Sequence, residues 1–332
     1  MTLSGFVEYT MNFNLIPWHD ITKFGQQTML DSDLFSVSWI LGRFCNYKCS
    51  YCWPYARSDK LDYQEFSVYI NAVEEIKRQA RANGFTKFHW SFSGGEPTAY
   101  KRFLDLLNHV NEKIEYQSLH MTTNLSPGEQ WWTKWLENTN DFSRRSITAS
   151  YHAEFASEQE FGDKILFLMQ NNVFVTINQV MVPEMFFEYY DRCKRFADRG
   201  INVTLKPQSD PTASFVVDGY TEEMIALMRT GFPQQVKEKE IHQIRLTDSG
   251  GTNWYLDQAE RFNAFGFNKF KDWTCNAGYQ SVIIRSNEVK RSYSCHDESL
   301  GNLERFNLFS SPKKCITPSC VSSADSKIPK CK

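Results

Sequence analysis

Phe35-Ser36-Val37-Ser38-Trp39-Ile40-Leu41 decides the fold class of this chain. It is a short apolar run with strand propensity, followed by a loop and then by a long helical pattern. The strand-like part recurs near 86 to 92, 117 to 123, 146 to 151, 173 to 181 and 201 to 206, giving six strands with the first at 35 to 42. Helical patterns fall between them, near 63 to 82, 101 to 114, 128 to 138, 157 to 171 and 185 to 198. The clearest carries Phe66, Tyr69, Ile70, Val73 and Ile76 at helical spacing and stops before Gly84. Alternating strand and helix call for an α/β fold, a parallel sheet with helices packed outside it. Six right-handed units fit an incomplete eight-unit barrel, a partial (β/α)6 TIM-like barrel. In such folds chemistry gathers on the loops at the C-terminal ends of the strands.

Composition bounds the rest. A chain of 332 residues buries a sizeable core in one large domain or two ordinary ones. With 41% hydrophobic and 23% charged residues and a formal net charge of -2, it has no global attraction to nucleic acid or anionic lipid. No apolar run approaches the ~20 residues that cross a bilayer. The start Met1-Thr2-Leu3-Ser4-Gly5 lacks the basic end and apolar stretch of a signal peptide, so a cytoplasmic location without membrane partners is expected. Nine cysteines in such a chain point to metal rather than to disulfides. Three lie at 45 to 52 and five at 275, 295, 315, 320 and 331, which reads as two separate metal sites. Cys193, alone in a helical pattern, is expected to be a packing residue.

Cys45-Asn46-Tyr47-Lys48-Cys49-Ser50-Tyr51-Cys52 follows the first strand and sets three thiols within eight residues. Three thiolates are one short of closing a four-iron cube and leave one iron open, as a catalytic metal keeps a position that a structural one fills. Part of a zinc site, or unrelated buried thiols, are the other readings. After the second strand comes Ser91-Phe92-Ser93-Gly94-Gly95-Glu96-Pro97-Thr98. Paired glycines let the backbone turn tightly and approach a ligand, and a carboxylate there can accept hydrogen bonds from an ammonium. By itself the string is also an ordinary turn.

Together, C-x3-C-x2-C followed by Trp53 and Pro54, and Gly94-Gly95-Glu96-Pro97 one strand-helix unit later, resemble the two signature motifs of the radical S-adenosylmethionine (radical SAM) superfamily. The resemblance covers about 35 to 206. It implies a 4Fe-4S cluster on Cys45, Cys49 and Cys52, its open iron chelated by the amino and carboxylate groups of S-adenosyl-L-methionine. It also implies cofactor contacts at Gly94, Gly95, Glu96 and Pro97, and an adenine border at Tyr51. Thr123 and Asn124 end the third strand and Ser150 the fourth, and by position they resemble residues near the ribose and carboxylate of the cofactor; Asn178 on the fifth strand is a further candidate. Strand-end capping is the alternative for each. His152 is a candidate acid or base, or a structural histidine.

Near the end, Cys275-Asn276-Ala277-Gly278-Tyr279 leads through Val282-Ile283-Ile284 and Arg291-Ser292-Tyr293-Ser294 to Cys295. Two short strands joined at Ser286-Asn287-Glu288 read as a hairpin with a thiol at each mouth. Gly301-Asn302-Leu303, Cys315 and Cys320 follow. This arrangement resembles the SPASM auxiliary-cluster extension, or its shortened twitch form, of many radical SAM enzymes. A full SPASM region carries more cysteines and holds two clusters. The resemblance here implies one auxiliary 4Fe-4S cluster on Cys275, Cys295, Cys315 and Cys320, with Cys331 as a spare or a replacement. Zinc on the same thiolates is the alternative.

The expected organisation is an N-terminal extension at 1-33, a radical SAM core at 34-206, a connecting segment at 207-274 and an auxiliary-cluster region at 275-332. The resemblance implies reductive cleavage of S-adenosylmethionine to a 5'-deoxyadenosyl radical, hydrogen-atom abstraction and a net oxidation or crosslinking. An external one-electron reductant such as flavodoxin or ferredoxin is implied as partner. With no recognisable peptide-recognition domain before the barrel, a small-molecule substrate is favoured over a peptide. RNA is disfavoured by the acidic balance, and a noncatalytic zinc-binding interaction protein is the remote alternative.

Overall fold

The computed structural model describes residues 15–53, 56–212, 215–233, 243–256, 266–295 and 298–332, so Pro54 and parts of the proposed extension and connecting segment lie outside the described residues. In chain order come β1 (Ile21–Gln26), β2 (Leu34–Ile40), α1 (Phe66–Ala82), β3 (Lys87–Ser93), α2 (Phe103–Val110) and β4 (Gln117–Thr123). Next are α3 (Glu129–Glu137), β5 (Arg144–Ser150), α4 (Glu158–Gln170), β6 (Val173–Met181), α5 (Phe186–Asp198), β7 (Asn202–Pro207) and α6 (Glu222–Thr230). The last part adds β8 (Ile244–Asp248), β9 (Asn253–Leu256), β10 (Thr274–Cys275), β11 (Ser281–Arg285), β12 (Glu288–Lys290), β13 (Ser299–Asn302), β14 (Arg305–Phe306), β15 (Lys313–Lys314) and β16 (Lys330–Cys331).

The chain divides into two compact units. One comprises Trp39–Ile70 and His89–Gln235, the other Met1–Ser38, Asn71–Phe88 and Val236–Lys332. In the first, β4 to β7 pair in sequence order and all parallel, with Met121 opposite Ile147, Ile147 opposite Val175, and Ile177 opposite Val203. The period of two is plain in β6: Val173, Val175, Ile177, Gln179 and Met181 are buried while Phe174, Thr176, Asn178 and Val180 are half-buried. Helices between the strands bury one stripe each: Trp132 and Trp135 on α3, Phe161, Ile165 and Leu168 on α4, and Phe186, Tyr189, Cys193 and Phe196 on α5. Each such large apolar side chain contributes about 1.5–3 kcal/mol by leaving water. The order of strands and helices agrees with the sequence reading, and the class is α/β. Cys193 is a buried packing residue on α5.

The second unit contains a six-stranded antiparallel sheet in the order β15-β10-β16-β1-β8-β9. Here β1 runs between two partners, with Lys23 opposite Cys331 of β16 and Phe24 opposite Leu246 of β8. Ile21 and Phe24 of β1 join Ile244, Leu246, Leu256, Phe270, Cys275, Cys315, Cys320 and Ile328 in a single core. Residues 21–26, read from sequence only as extension, and 244–256, read as connector, are thus strands of the sheet that carries the tail cysteines. Their period was hidden because β1 has an irregular register between Ile21 and Lys23 and β9 has only four residues. The hairpin expected at Ser286 is present as β11 and β12, with Ile284 opposite Val289 and Ser286 in the left-handed region at φ 53°. Strands β13 and β14 continue it as an antiparallel meander. Among the described residues no helix is long and apolar enough to cross a membrane.

Candidate functional site

The cysteine loop begins two residues past β2, where Leu41 N still donates to Ser93 O at the end of β3 (3.1 Å). Asp62 fixes its first turn: its carboxylate accepts from Arg43 N at 2.9 Å and Phe44 N at 3.2 Å. Against this turn lies the glycine loop, Gly95 N donating to Gly42 O (2.9 Å) and Glu96 N to Phe44 O (2.8 Å). A Cβ at Gly94, whose φ is 147°, would lie 2.3 Å from Gly42 O, and one at Gly95 would lie 2.2 Å from Phe44 O. Backbone cannot retreat from such contacts, so the two glycines are required by the approach of one loop to the other.

Glu96 is 1% exposed. Its Oε1 accepts from Thr98 N (3.0 Å), Thr98 Oγ1 (2.7 Å) and Thr123 Oγ1 (2.8 Å), and its Oε2 from Asn124 N (2.7 Å). Burial pushes the carboxyl pKa up, opposed by these four donors, which favour the charged form. The carboxylate therefore rivets the glycine loop to the end of β4. Pro97 opens the short 3-10 turn Pro97–Ala99, which Glu96 caps.

Three further strand ends hold the cysteine loop. Asn124 Nδ2 donates to Asn46 Oδ1 (2.9 Å) and Asn46 Nδ2 to Ser126 Oγ (3.0 Å), past β4. Beyond β5, the Glu154 carboxylate accepts from Ser50 N (3.0 Å) and Ser50 Oγ (2.9 Å), and Tyr47 stacks on Phe155 with ring centroids 4.9 Å apart. Beyond β7, Ser209 O accepts from Trp53 Nε1 (2.7 Å). Tyr51 Oη and His152 Nδ1 are 2.6 Å apart. Burial pulls the His152 pKa down to about 4, so the imidazole is neutral at physiological pH and serves here as the partner of the Tyr51 hydroxyl. Asn46, Asp62 and Glu154 were not singled out in the sequence. Their only signal was a polar residue beside a cysteine or just past a strand end, which fits a solvated loop equally well.

Cys49 is buried and Cys45 and Cys52 are half-buried. Burial pushes all three thiol pKa values up, that of Cys49 to about 12. Among the described residues no three His, Cys, Asp or Glu side chains are drawn in tightly enough for a single ion, whereas a four-iron cube takes each thiolate on its own iron and needs a wider ring of sulfurs. Three soft donors on one braced loop fit such a cluster in kind and number. Ser150 stands opposite Asn178 in the parallel register, both half-buried near the ends of β5 and β6. Thr123, by contrast, is turned into the protein toward Glu96.

The second unit gathers the tail thiols. Cys275, Cys295, Cys315 and Cys320 are all buried. Cys315 N donates to Trp273 O (2.7 Å) and Cys320 N to Asn268 O (2.8 Å), while Thr317 Oγ1 donates to Cys295 Sγ (3.6 Å) and Thr317 O accepts from Cys315 Sγ (3.7 Å). Cys331 is exposed. On β16 it faces Thr274, and its neighbour Lys330 faces Cys275; alternation then puts Cys331 on the other side of the sheet from Cys275.

Residues 39–147 match the family model of the radical SAM superfamily, a span holding both the cysteine loop and Gly94 to Pro97. That span, about a third of the chain, matches the radical SAM superfamily, whose cofactors are a 4Fe-4S cluster and S-adenosylmethionine. More particularly, it is 32% identical over 100 residues to the cysteine-type anaerobic sulfatase-maturating enzyme of Clostridium perfringens. That stretch covers 28% of this chain and 26% of the relative, about a quarter of its length. Among solved structures, native anSMEcpe with bound AdoMet matches with a TM-score of 0.53 at 15% identity, over 83% of this chain and 80% of that one. Native anSMEcpe with bound AdoMet and Kp18Cys peptide matches with a TM-score of 0.53 at 14% identity, over 83% of this chain and 79% of that one. At such identity the likeness is one of fold.

Proposed function

We propose that this chain is a peptide-modifying radical SAM enzyme that oxidises a side chain of its substrate. The observation that carries the reading is the shared fold with a chain solved with both AdoMet and a peptide bound. The match covers 79% of that chain, which leaves little of it for a separate recognition domain. The expectation of a small-molecule substrate is thereby outweighed.

When bound, the cluster and S-adenosylmethionine supply a 5'-deoxyadenosyl radical that takes a hydrogen atom from the substrate. The chain's own part is to hold and aim. Cys45, Cys49 and Cys52 supply the thiolates, while Asp62, Asn46, Ser50 with Glu154, and Trp53 keep their loop in place. Backbone of Gly94 and Gly95 would border the methionine end of the cofactor and Tyr51 the adenine, while Ser150 and Asn178 would offer polar groups to the ribose and carboxylate. Glu96 acts from behind, by fixing the loop. The parallel strands β4 to β7 with their helices are read as part of a partial barrel. Cys275, Cys295, Cys315 and Cys320 would hold one auxiliary 4Fe-4S cluster, a group that would supply electron transfer, with an external one-electron protein donor as partner in the cytoplasm.

Anaerobic reconstitution followed by incubation with S-adenosylmethionine, a reductant and a library of short cysteine- and serine-containing peptides tests the reading. The expected result is methionine, 5'-deoxyadenosine and a peptide that has lost two hydrogens. Cofactor cleavage coupled to oxidation of small polyols or amino acids, with every peptide untouched, would return the substrate to the small-molecule class.

A further inference from the structure

Lys330 places an ammonium in the core of the second unit, 2% exposed. Its Nζ donates to the carbonyls of Asp325 (2.8 Å), Ile328 (2.8 Å) and Ser326 (3.4 Å), which accounts for its three protons. The same nitrogen lies 4.7 Å from the ring centroid of Phe270 and 5.9 Å from that of Phe24. None of these partners carries a full negative charge. A buried cation so placed is costly unless an anion stands nearby.

Among the described residues, the neighbouring buried cation Arg291 is already matched. Arg291, wholly buried, pairs with Glu298 and donates to Ala277 O (3.1 Å), Lys313 O (3.2 Å) and Lys314 O (3.3 Å). The Asp325 carboxylate accepts from Ser294 N rather than from Lys330. Across the sheet, Lys330 is the antiparallel partner of Cys275, so both side chains leave the same face, toward the core that also contains Cys315 and Cys320. Thiolates at Cys275, Cys315 and Cys320, which share that core, would supply the anion once they hold a metal group.

We propose that Lys330 is the resident counter-charge of the group held by Cys275, Cys295, Cys315 and Cys320, and that it raises the reduction potential of that group. The inference rests on the reading of this site as a 4Fe-4S cluster. Such a cluster gains one negative charge for each electron taken up, and its potential follows net charge and burial. A fixed cation in a low-dielectric core favours the more negative, reduced form. Lys330 touches no reacting atom and is a positioning residue.

The test uses the full chain, reconstituted anaerobically, with iron and zinc analysis and a dithionite titration followed by electron paramagnetic resonance. In Lys330→Met the potential of the second cluster is expected to fall while that of the first is unchanged; Lys330→Arg, which keeps the charge, should restore the wild-type value. Loss of the second cluster in Lys330→Met but not in Lys330→Arg supports the same role. An unmoved potential in Lys330→Met, or loss of the cluster in both variants, overturns it, the latter by showing that shape rather than charge matters. Iron for only one cluster in the unmodified chain, or zinc at the tail thiols, overturns the cluster reading instead.

Discussion

Single residues at the candidate site are fixed first by the protein around them. Gly95 is the sharpest case, because an added methyl would meet Phe44 O at 2.2 Å and Arg43 O at 2.3 Å. Gly95→Ala should cost about 1–3 kcal/mol by overpacking and displace the cysteine loop, lowering the iron retained at the first site; full iron with unchanged urea unfolding would contradict this. Glu96 is similar in kind. Glu96→Gln replaces one acceptor oxygen by an amide donor that faces groups which already donate, Asn124 N or the Thr98 and Thr123 pair, and should lose about 1–3 kcal/mol in urea unfolding before any effect on cofactor is counted. His152 has a pH consequence. Its folded pKa of about 4 lies below the ordinary value of about 6.5, so the folded state prefers the neutral ring. Its contribution is complete above pH 6.5 and declines as the pH falls from there toward 4. Thermal melts should therefore lose stability across that window, and less so in His152→Gln.

Elements show where local pattern and tertiary pairing part company. The parallel strands β4 to β7 announce themselves because each is a long run whose alternation survives burial on one face. Strand β1 does not, since an irregular register breaks its six residues and its partners β8 and β16 lie more than two hundred positions away in sequence. If it is an integral strand, a chain lacking residues 1–30 should lose the order of the six-stranded sheet and with it the second complement of iron. A truncated chain that still binds iron at both sites would restore the view of these residues as an appended extension. Strand β16 carries its own test. Cys331→Ser should leave the iron content at the wild-type level, whereas Cys275→Ser should remove about half of it, since a cube holds about four irons.

At the scale of the whole molecule the chain combines a unit with three thiols on one loop, Cys45, Cys49 and Cys52, and one with four buried thiols, Cys275, Cys295, Cys315 and Cys320. The three were legible because covalent spacing alone keeps them close: eight consecutive residues, Cys45 to Cys52, carry three thiols whatever the fold does. The same is true of the alternation that defines the α/β class, which follows from side-chain periodicity along short segments. What the tertiary structure alone decided is of another kind. It turned Glu96 toward Thr123 and Asn124, set Glu154 on Ser50, pressed Gly94 and Gly95 against the backbone of 42 to 44, left Cys331 outside the buried thiols and brought Lys330 opposite Cys275. Each of these depends on two loops or strands that are distant in sequence arriving at one place. No periodicity or spacing along the chain encodes that meeting, because it is set by the sum of many packing contacts rather than by any local segment.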